Sequence, residues 1–180
     1  MKVITGKYKG RVIRMPKGIR PTQQKVRKAL FDILGDIKGV GFLELFAGSG
    51  AIGIEALSKG AREVVFVERD KRCVSIIKKN LSLLGYLSCK VISTDVLKAI
   101  QRLNKEGRSF EVIFSDPPYY QDLAKKTLQT LSIYDILAPN GLLIIEHFNK
   151  EILPDQAGDL RLFKQNRYGD TLLSFYKKSL

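Results

Sequence analysis

From residue 42 onward the chain alternates between short apolar runs and amphipathic stretches. The runs at Phe42–Phe46, Glu63–Glu68, Cys89–Ser93, Phe110–Ser115 and Leu142–His147 are rich in Val, Ile, Leu and Phe. That composition predicts buried strands. The stretches between them, about 51–59, 71–84, 95–105 and 121–137, predict helices. A strand–helix series of this kind predicts an α/β fold with a mostly parallel sheet and helices on both faces. The tail breaks the rhythm: Leu160–Lys164 and Thr171–Tyr176 are strand-like and joined by a turn near Gly169, which predicts a C-terminal antiparallel hairpin.

The N-terminus has a separate character. Lys2–Thr5 and Arg11–Met15 are β-prone and flank Gly6–Gly10, predicting a small hairpin. Thr22 can cap a helix with Val26, Leu30, Ile33 and Leu34 on one face. Lys25, Arg27 and Lys28 fall mostly off that face, in solvent. Residues 1–21 are therefore expected to form a small extension, and 22–180 one α/β domain.

Charge adds a partner to this picture. The 180-residue chain has a formal net charge of +13. Residues 1–31 contain ten Lys and Arg and no acid. A clustered basic block is the footprint of a phosphate backbone. Arg11, Arg14, Arg20, Thr22 and Lys25 are the candidate nucleic-acid contacts. No stretch approaches the roughly 20 apolar residues of a membrane span, and no signal-peptide core is expected at the N-terminus. Cys73 and Cys89 make neither a disulfide scaffold nor a metal site, and are expected to be buried thiols. His147 ends an apolar strand and is expected to be structural.

The most informative chemistry lies at the end of the fourth strand, in Asp116-Pro117-Pro118-Tyr119. The prolines cannot donate to a sheet ladder and hold the turn rigid and extended. A carboxylate (Asp116) beside a free carbonyl (Pro117) can accept both protons of an NH2 group, and the Tyr119 ring can stack on a flat base. A second constellation follows the first strand, where Glu44-Leu45-Phe46-Ala47-Gly48-Ser49-Gly50-Ala51-Ile52-Gly53 contains a literal G-x-G-x-x-G. That motif alone is weak. Glu44 beside it would repel a pyrophosphate and suits an ammonium group. Glu68 closes strand two, where an acid can accept both ribose hydroxyls, and Asp95 follows strand three, where it could accept from an adenine amine. Strand ends are where open α/β sheets bind ligands. Ribose, adenine and an amino acid together describe S-adenosylmethionine (SAM). Glu68 and Asp95 could each also be an ordinary helix-start residue.

These residues resemble a SAM-dependent methyltransferase. The closer resemblance is to the RsmD family, which methylates the N2 of a guanine in bacterial 16S rRNA. It is carried by Arg20-Pro21-Thr22, by Val26 to Leu34, by Leu45 to Ala61, by Phe66-Val67-Glu68, by Asp116-Pro117-Pro118-Tyr119, by Glu146-His147 and by Tyr168-Gly169-Asp170-Thr171. It implies a seven-stranded Rossmann-like class I methyltransferase sheet with a basic N-terminal β-hairpin. It also implies catalytic roles for Asp116, Pro117, Pro118 and Tyr119. SAM would be held by Glu44, Phe46, Ala47, Gly48, Ser49, Gly50, Glu68, Arg69, Asp95 and Val96. The implied partner is 16S rRNA or the small ribosomal subunit particle, with no metal and no membrane, and the implied protein is a cytoplasmic monomer. Adenine-N6 methylation of DNA, and an inactive RNA-binding assembly factor on the same scaffold, remain open. An NAD-dependent oxidoreductase would leave both Asp116-Pro117-Pro118-Tyr119 and the basic block unexplained.

Overall fold

Strand and helix alternate along the chain as the hydrophobic pattern predicts. The computed structural model describes residues 1–18, 23–119 and 122–179, in two units, Met1–Thr94 and Asp95–Leu180. The expected contacts Arg20 and Thr22, and the expected boundary at residue 21, lie outside the described residues.

In the first unit, β1 (Gly41–Leu45), β2 (Glu63–Glu68) and β3 (Lys90–Ser93) pair in parallel in the order β3-β2-β1. Every residue of β1 is buried, as are Val64 to Val67. Such continuous apolar strands are expected where both faces of a parallel ladder are covered. Helix α2 (Ala51–Ser58) joins β1 to β2 and is buried along its whole length. Helix α3 (Lys71–Leu83) joins β2 to β3 and buries Cys73, Val74, Ile77, Asn80 and Leu81. Burial pushes the Cys73 thiol up to about 11, so it is an inert core group. Cys89 falls just before β3 and is only half-buried, against expectation.

Helix α1 (Gln24–Leu34) buries Val26, Leu30 and Phe31. It also buries Arg27, which the pattern had placed in solvent. Arg27 is 1% exposed and reaches Glu55 of α2 at 3.5 Å and the Lys2 carbonyl at 3.2 Å. Burial lowers the Arg27 pKa, and the Glu55 charge opposes that. The partner carboxylate is what makes an interior guanidinium tolerable.

The N-terminal hairpin is reduced to a single bridge, Lys2 to Val12, with backbone bonds Val3 N–H to Arg11 O and Gly10 N–H to Val3 O. It stays short because its donors are used elsewhere. Ile4 and Thr5 N–H donate to Glu55 at 2.6 and 3.1 Å, Tyr8 N–H to Ser58 Oγ at 2.9 Å, and Arg14 N–H to Asn80 Oδ1 at 2.8 Å. Gly6 lies flat against the end of α2; a Cβ there would meet the Ser58 carbonyl oxygen at 1.9 Å.

In the second unit, helix α4 (Val96–Lys105) precedes β4 (Phe110–Ser115), and helix α5 (Leu123–Ile133) precedes β5 (Leu137–Phe148). Then come β6 (Gln156–Ala157), β7 (Leu160–Tyr168) and β8 (Thr171–Lys178). The order is β4-β5-β8-β7-β6, with β4 and β5 parallel and the rest antiparallel. Helix α5 ends earlier than expected. Tyr134 has already left the helix for extended backbone (φ −104°, ψ 109°), and Leu137 pairs with Phe110 of β4, so sheet pairing overrides the helical pattern there. No helix among the described residues is long and apolar enough to cross a membrane.

Candidate active site

The first unit places a Gly loop between the buried end of β1 and the first turn of α2. The chain leaves β1 at Phe46 (φ 57°), and Gly48 and Gly50 also take positive φ. Gly50 begins α2 without a side-chain cap. The cap comes from β1 instead: the buried Glu44 accepts Ile52 N–H at 3.3 Å and Gly53 N–H at 2.9 Å. A carboxylate on a helix N-terminus takes the place that a phosphate would use. Gly53 permits the contact, since a Cβ there would meet Phe66 at 2.4 Å and Glu44 Oε2 at 2.8 Å. Gly48 differs: a Cβ built on it meets nothing within 4 Å, so this part of the loop faces open space.

Glu68, at the end of β2, holds the loop from the other side. Its Oε2 accepts Gly48 N–H at 2.8 Å and its Oε1 accepts Asp70 N–H at 2.8 Å. The side chain is half-buried, and each carboxylate oxygen retains a second lone pair. Asp70 caps α3 by accepting Arg72 N–H, and the Arg72 contacts hold its carboxyl down to about 2. Arg69 is exposed; Ala47 and Ser49 are buried, and Phe46 is half-buried. Asn80, fully buried on α3, spans two of these features. Its amide donates to the Ser49 and Arg14 carbonyls at 3.1 and 3.0 Å while its oxygen accepts Arg14 N–H. One side chain therefore ties the basic N-terminal segment to the Gly loop. Arg11, Arg14 and Lys25 are exposed.

In the second unit, Asp95 caps α4, accepting Leu97 and Lys98 N–H through Oδ1 at 3.0 and 3.4 Å. Val96 is buried. Residues Asp116 to Pro118 follow β4 outside any helix or strand, with Asp116 half-buried, Pro117 buried and Pro118 exposed. The Tyr119 hydroxyl meets Thr171 Oγ1 at 3.0 Å, and its ring lies 5.7 Å from that of Phe148. Phe148 and Thr171 are cross-strand partners of β5 and β8. The adjoining turn is fastened by Asn149, whose N–H donates to Asp170 O at 2.8 Å and whose side chain donates to Gly169 O at 3.2 Å.

His147 is structural. The Phe148 carbonyl, 3.1 Å from Nδ1, can only accept, so Nδ1 carries the proton; Nε2 then accepts from Ser174 Oγ at 2.7 Å, and Gln165 donates to that oxygen at 2.9 Å. Burial lowers the imidazole pKa.

Thr171, Phe148, Asn80 and Glu55 were not singled out from sequence. Thr171 had a signal, its place in Tyr168-Gly169-Asp170-Thr171. Glu55 had a weaker one, a lone acid in an apolar helix. Asn80 had none.

The Conserved hypothetical protein 95 family model matches residues 1–177. The Bacillus subtilis protein YlbH, provisionally named an rRNA methyltransferase, is 37% identical over 99% of this chain and 99% of its own length. Ribosomal RNA small subunit methyltransferase D of Escherichia coli (strain K12) is 30% identical over 99% of this chain and 90% of its own length. The solved structure of YhhF from Escherichia coli, provisionally named a methyltransferase, superposes with a TM-score of 0.89 at 29% identity, covering 99% of this chain and 98% of that one. With the model covering the chain almost end to end, and relatives of this identity matching it over 90% or more of their own length, the chain belongs to the Conserved hypothetical protein 95 family, the family of RsmD.

Proposed function

We propose that this chain transfers a methyl group from SAM to the exocyclic N2 of a guanine in bacterial small-subunit (16S) rRNA. It would act as a cytoplasmic monomer on the rRNA or the small-subunit particle. The observation that carries the reading is the rigid Asp116-Pro117-Pro118-Tyr119 turn, which ends a buried strand and has its tyrosine held at both ring and hydroxyl. Family membership supports the reaction class.

The residues present fit the cofactor. The open space at Gly48 admits a ligand against the loop backbone. Glu68 has lone pairs left for ribose hydroxyls, and Asp95 has a second oxygen, Oδ2, for an adenine amine. Glu44 puts negative charge at the loop, which favours an ammonium group over a phosphate. Bound SAM supplies a methyl carbon already activated by its positively charged sulfur.

The chain's own work is on the acceptor. The guanine N2 lone pair is delocalised into the ring, so the amine is a poor nucleophile. Asp116 carboxylate and Pro117 carbonyl accept its two N–H bonds, draw the nitrogen toward a tetrahedral shape and fix the line of attack. Positioning of this kind supplies much of a barrier reduction. Tyr119 stacks on the base. Leaving its stack costs the base a few kcal/mol, which favours a target in a loop. Arg11, Arg14, Arg20, Thr22 and Lys25 meet the RNA backbone, and charge reversal at Arg11 and Arg14 reduces the salt slope of binding.

The test is transfer of labelled methyl from SAM to unmodified small subunits and their rRNA, with mass analysis of the nucleosides. The expected product is N2-methylguanosine, lost in Asp116→Ala with SAM affinity retained. Equal loss of transfer and SAM affinity removes Asp116 from the acceptor site. Transfer to duplex DNA in place of rRNA replaces the substrate.

A further inference from the structure

We propose that the C-terminal hairpin carries an RNA-binding surface of its own, in addition to the basic N-terminal block, which holds unpaired RNA around Phe163. The proposal rests on the reading of the chain as an rRNA methyltransferase.

The surface is made by a defect in the β7–β8 ladder. Leu162 is opposite Tyr176, but Lys164 is opposite Phe175, so the register shifts across Phe163. A bulge of this kind adds one residue to a strand and re-aims a side chain. Without it Phe163 and Lys164 would point to opposite faces. With it, Lys164 joins Phe163 on the face that carries Arg161, Phe175 and Lys177. Phe163 is 51% exposed there, and its ring sits edge-on to that of buried Phe175, with centroids 6.3 Å apart. The Lys177 ammonium lies 4.8 Å from the Phe163 ring centre, and the Lys164 ammonium 6.0 Å from that of Phe175.

Charge on this face is unbalanced. Arg161 is directly opposite Lys177 in the ladder, and like charges in that position repel. No acid among the described residues forms an ion pair with Arg161, Lys164 or Lys177. The adjacent Lys178, alternating to the other face, is paired with Asp135. The hairpin thus neutralises a cation on one face and gathers three around an exposed aromatic ring on the other.

A ligand that relieves this arrangement must be anionic and must also offer a flat apolar surface. Unpaired RNA has both, phosphates for the three cations and a base for the ring. A cation–π contact at an exposed site is weak, so Lys177 can move to a phosphate and open the face of Phe163. Duplex RNA presents the phosphates but keeps its base faces stacked.

The test uses the full chain and a labelled oligouridylate of roughly 12 nucleotides, within the site sizes that single-strand binders cover. Binding is measured across salt concentrations, beside SAM affinity and methyl transfer to rRNA. Arg161→Glu with Lys177→Glu is expected to weaken binding about tenfold or more at low salt and to flatten its salt dependence. Phe163→Ala is expected to weaken it about fivefold with the salt slope kept, as loss of a stacking platform does. SAM affinity stays at the wild-type level in both. If reversal disturbs SAM binding, the milder Arg161→Ala with Lys177→Ala gives the same reading. Variants that bind RNA like wild type overturn the proposal, and the cations then serve only as a charged, soluble face of the hairpin. A wild-type chain that binds the oligonucleotide through these residues but transfers no methyl to rRNA leaves the surface standing and overturns the function instead.

Discussion

The Tyr119 hydroxyl lies 3.0 Å from Thr171 Oγ1, although 52 residues separate them in sequence. Thr171 is opposite Phe148 in the β5–β8 ladder, and Phe148 lies against the Tyr119 ring. One cross-strand pair thus sets both the tilt and the height of the aromatic ring at the proposed acceptor site. Thr171→Val keeps the shape and removes the hydroxyl. A hydrogen bond of this kind is worth about 0.5–1.5 kcal/mol, so kcat/KM for rRNA should fall about three- to tenfold. Thr171→Ser should restore most of it. Tyr119→Phe should cost a similar amount, and the double variant should cost little more than either single one. Additive losses would mean that the two hydroxyls act independently.

Asn80 ties the Arg14 backbone to the Ser49 carbonyl. Asn80→Asp keeps the acceptor but sets a carboxylate oxygen against two carbonyls in a buried site. The expected loss of stability is about 3 kcal/mol, the range for stranding buried polar groups. Hydrogen exchange should quicken at Arg14 and around the Gly loop, and SAM affinity should drop. Protection that changes at Arg14 alone would show that the tie does not reach the loop.

The Arg27–Glu55 pair should be asymmetric. Glu55 accepts from Ile4 N–H, Thr5 N–H and the Thr5 hydroxyl as well as from Arg27. Arg27→Met leaves the carboxylate with those three donors, and should cost about 1–3 kcal/mol. Glu55→Ala strands a buried guanidinium and releases the N-terminal segment, and should cost about 3–5 kcal/mol. Urea unfolding of the two variants gives the comparison. Equal losses would mean that the N-terminal donors contribute nothing. Limited proteolysis should also cut before residue 18 in Glu55→Ala only.

Much of the scaffold was legible because strand signals are local. The β2 and β4 boundaries fall where the apolar runs fall, Glu63–Glu68 and Phe110–Ser115. Helix α5 was read too long because its apolar pattern continues past Tyr134 to Leu137, whose pairing with Phe110 of β4 is a contact the local pattern does not show. Arg27 looked like a solvent residue because its partner is 28 positions away and belongs to another helix. The N-terminal strands were β-prone by composition, but side-chain oxygens on α2 and α3 claim the donors a longer ladder would need. The same distance in sequence hides the anchoring of Tyr119: the chemistry of the Asp116 turn is local, and its support comes from β5 and β8.

His147, the one histidine in the chain, gives a pH dependence whose sign follows from its burial. Burial lowers its pKa from 6.5 in the folded state, while the Phe148 and Glu151 backbone groups work the other way. In the unfolded chain the imidazole takes up a proton as pH falls through about 6.5; in the folded chain it resists. The unfolded state therefore binds more protons just below that pH, and stability rises with pH across the window. The contribution is complete above 6.5 and is lost progressively below it, down to the depressed folded value. His147→Gln, which can still meet Ser174, should flatten the dependence of stability on pH between 7 and 5 while lowering stability at pH 7. Denaturant midpoints at several pH values across that range provide the check. A slope that persists in the variant would place the proton uptake on the carboxylates.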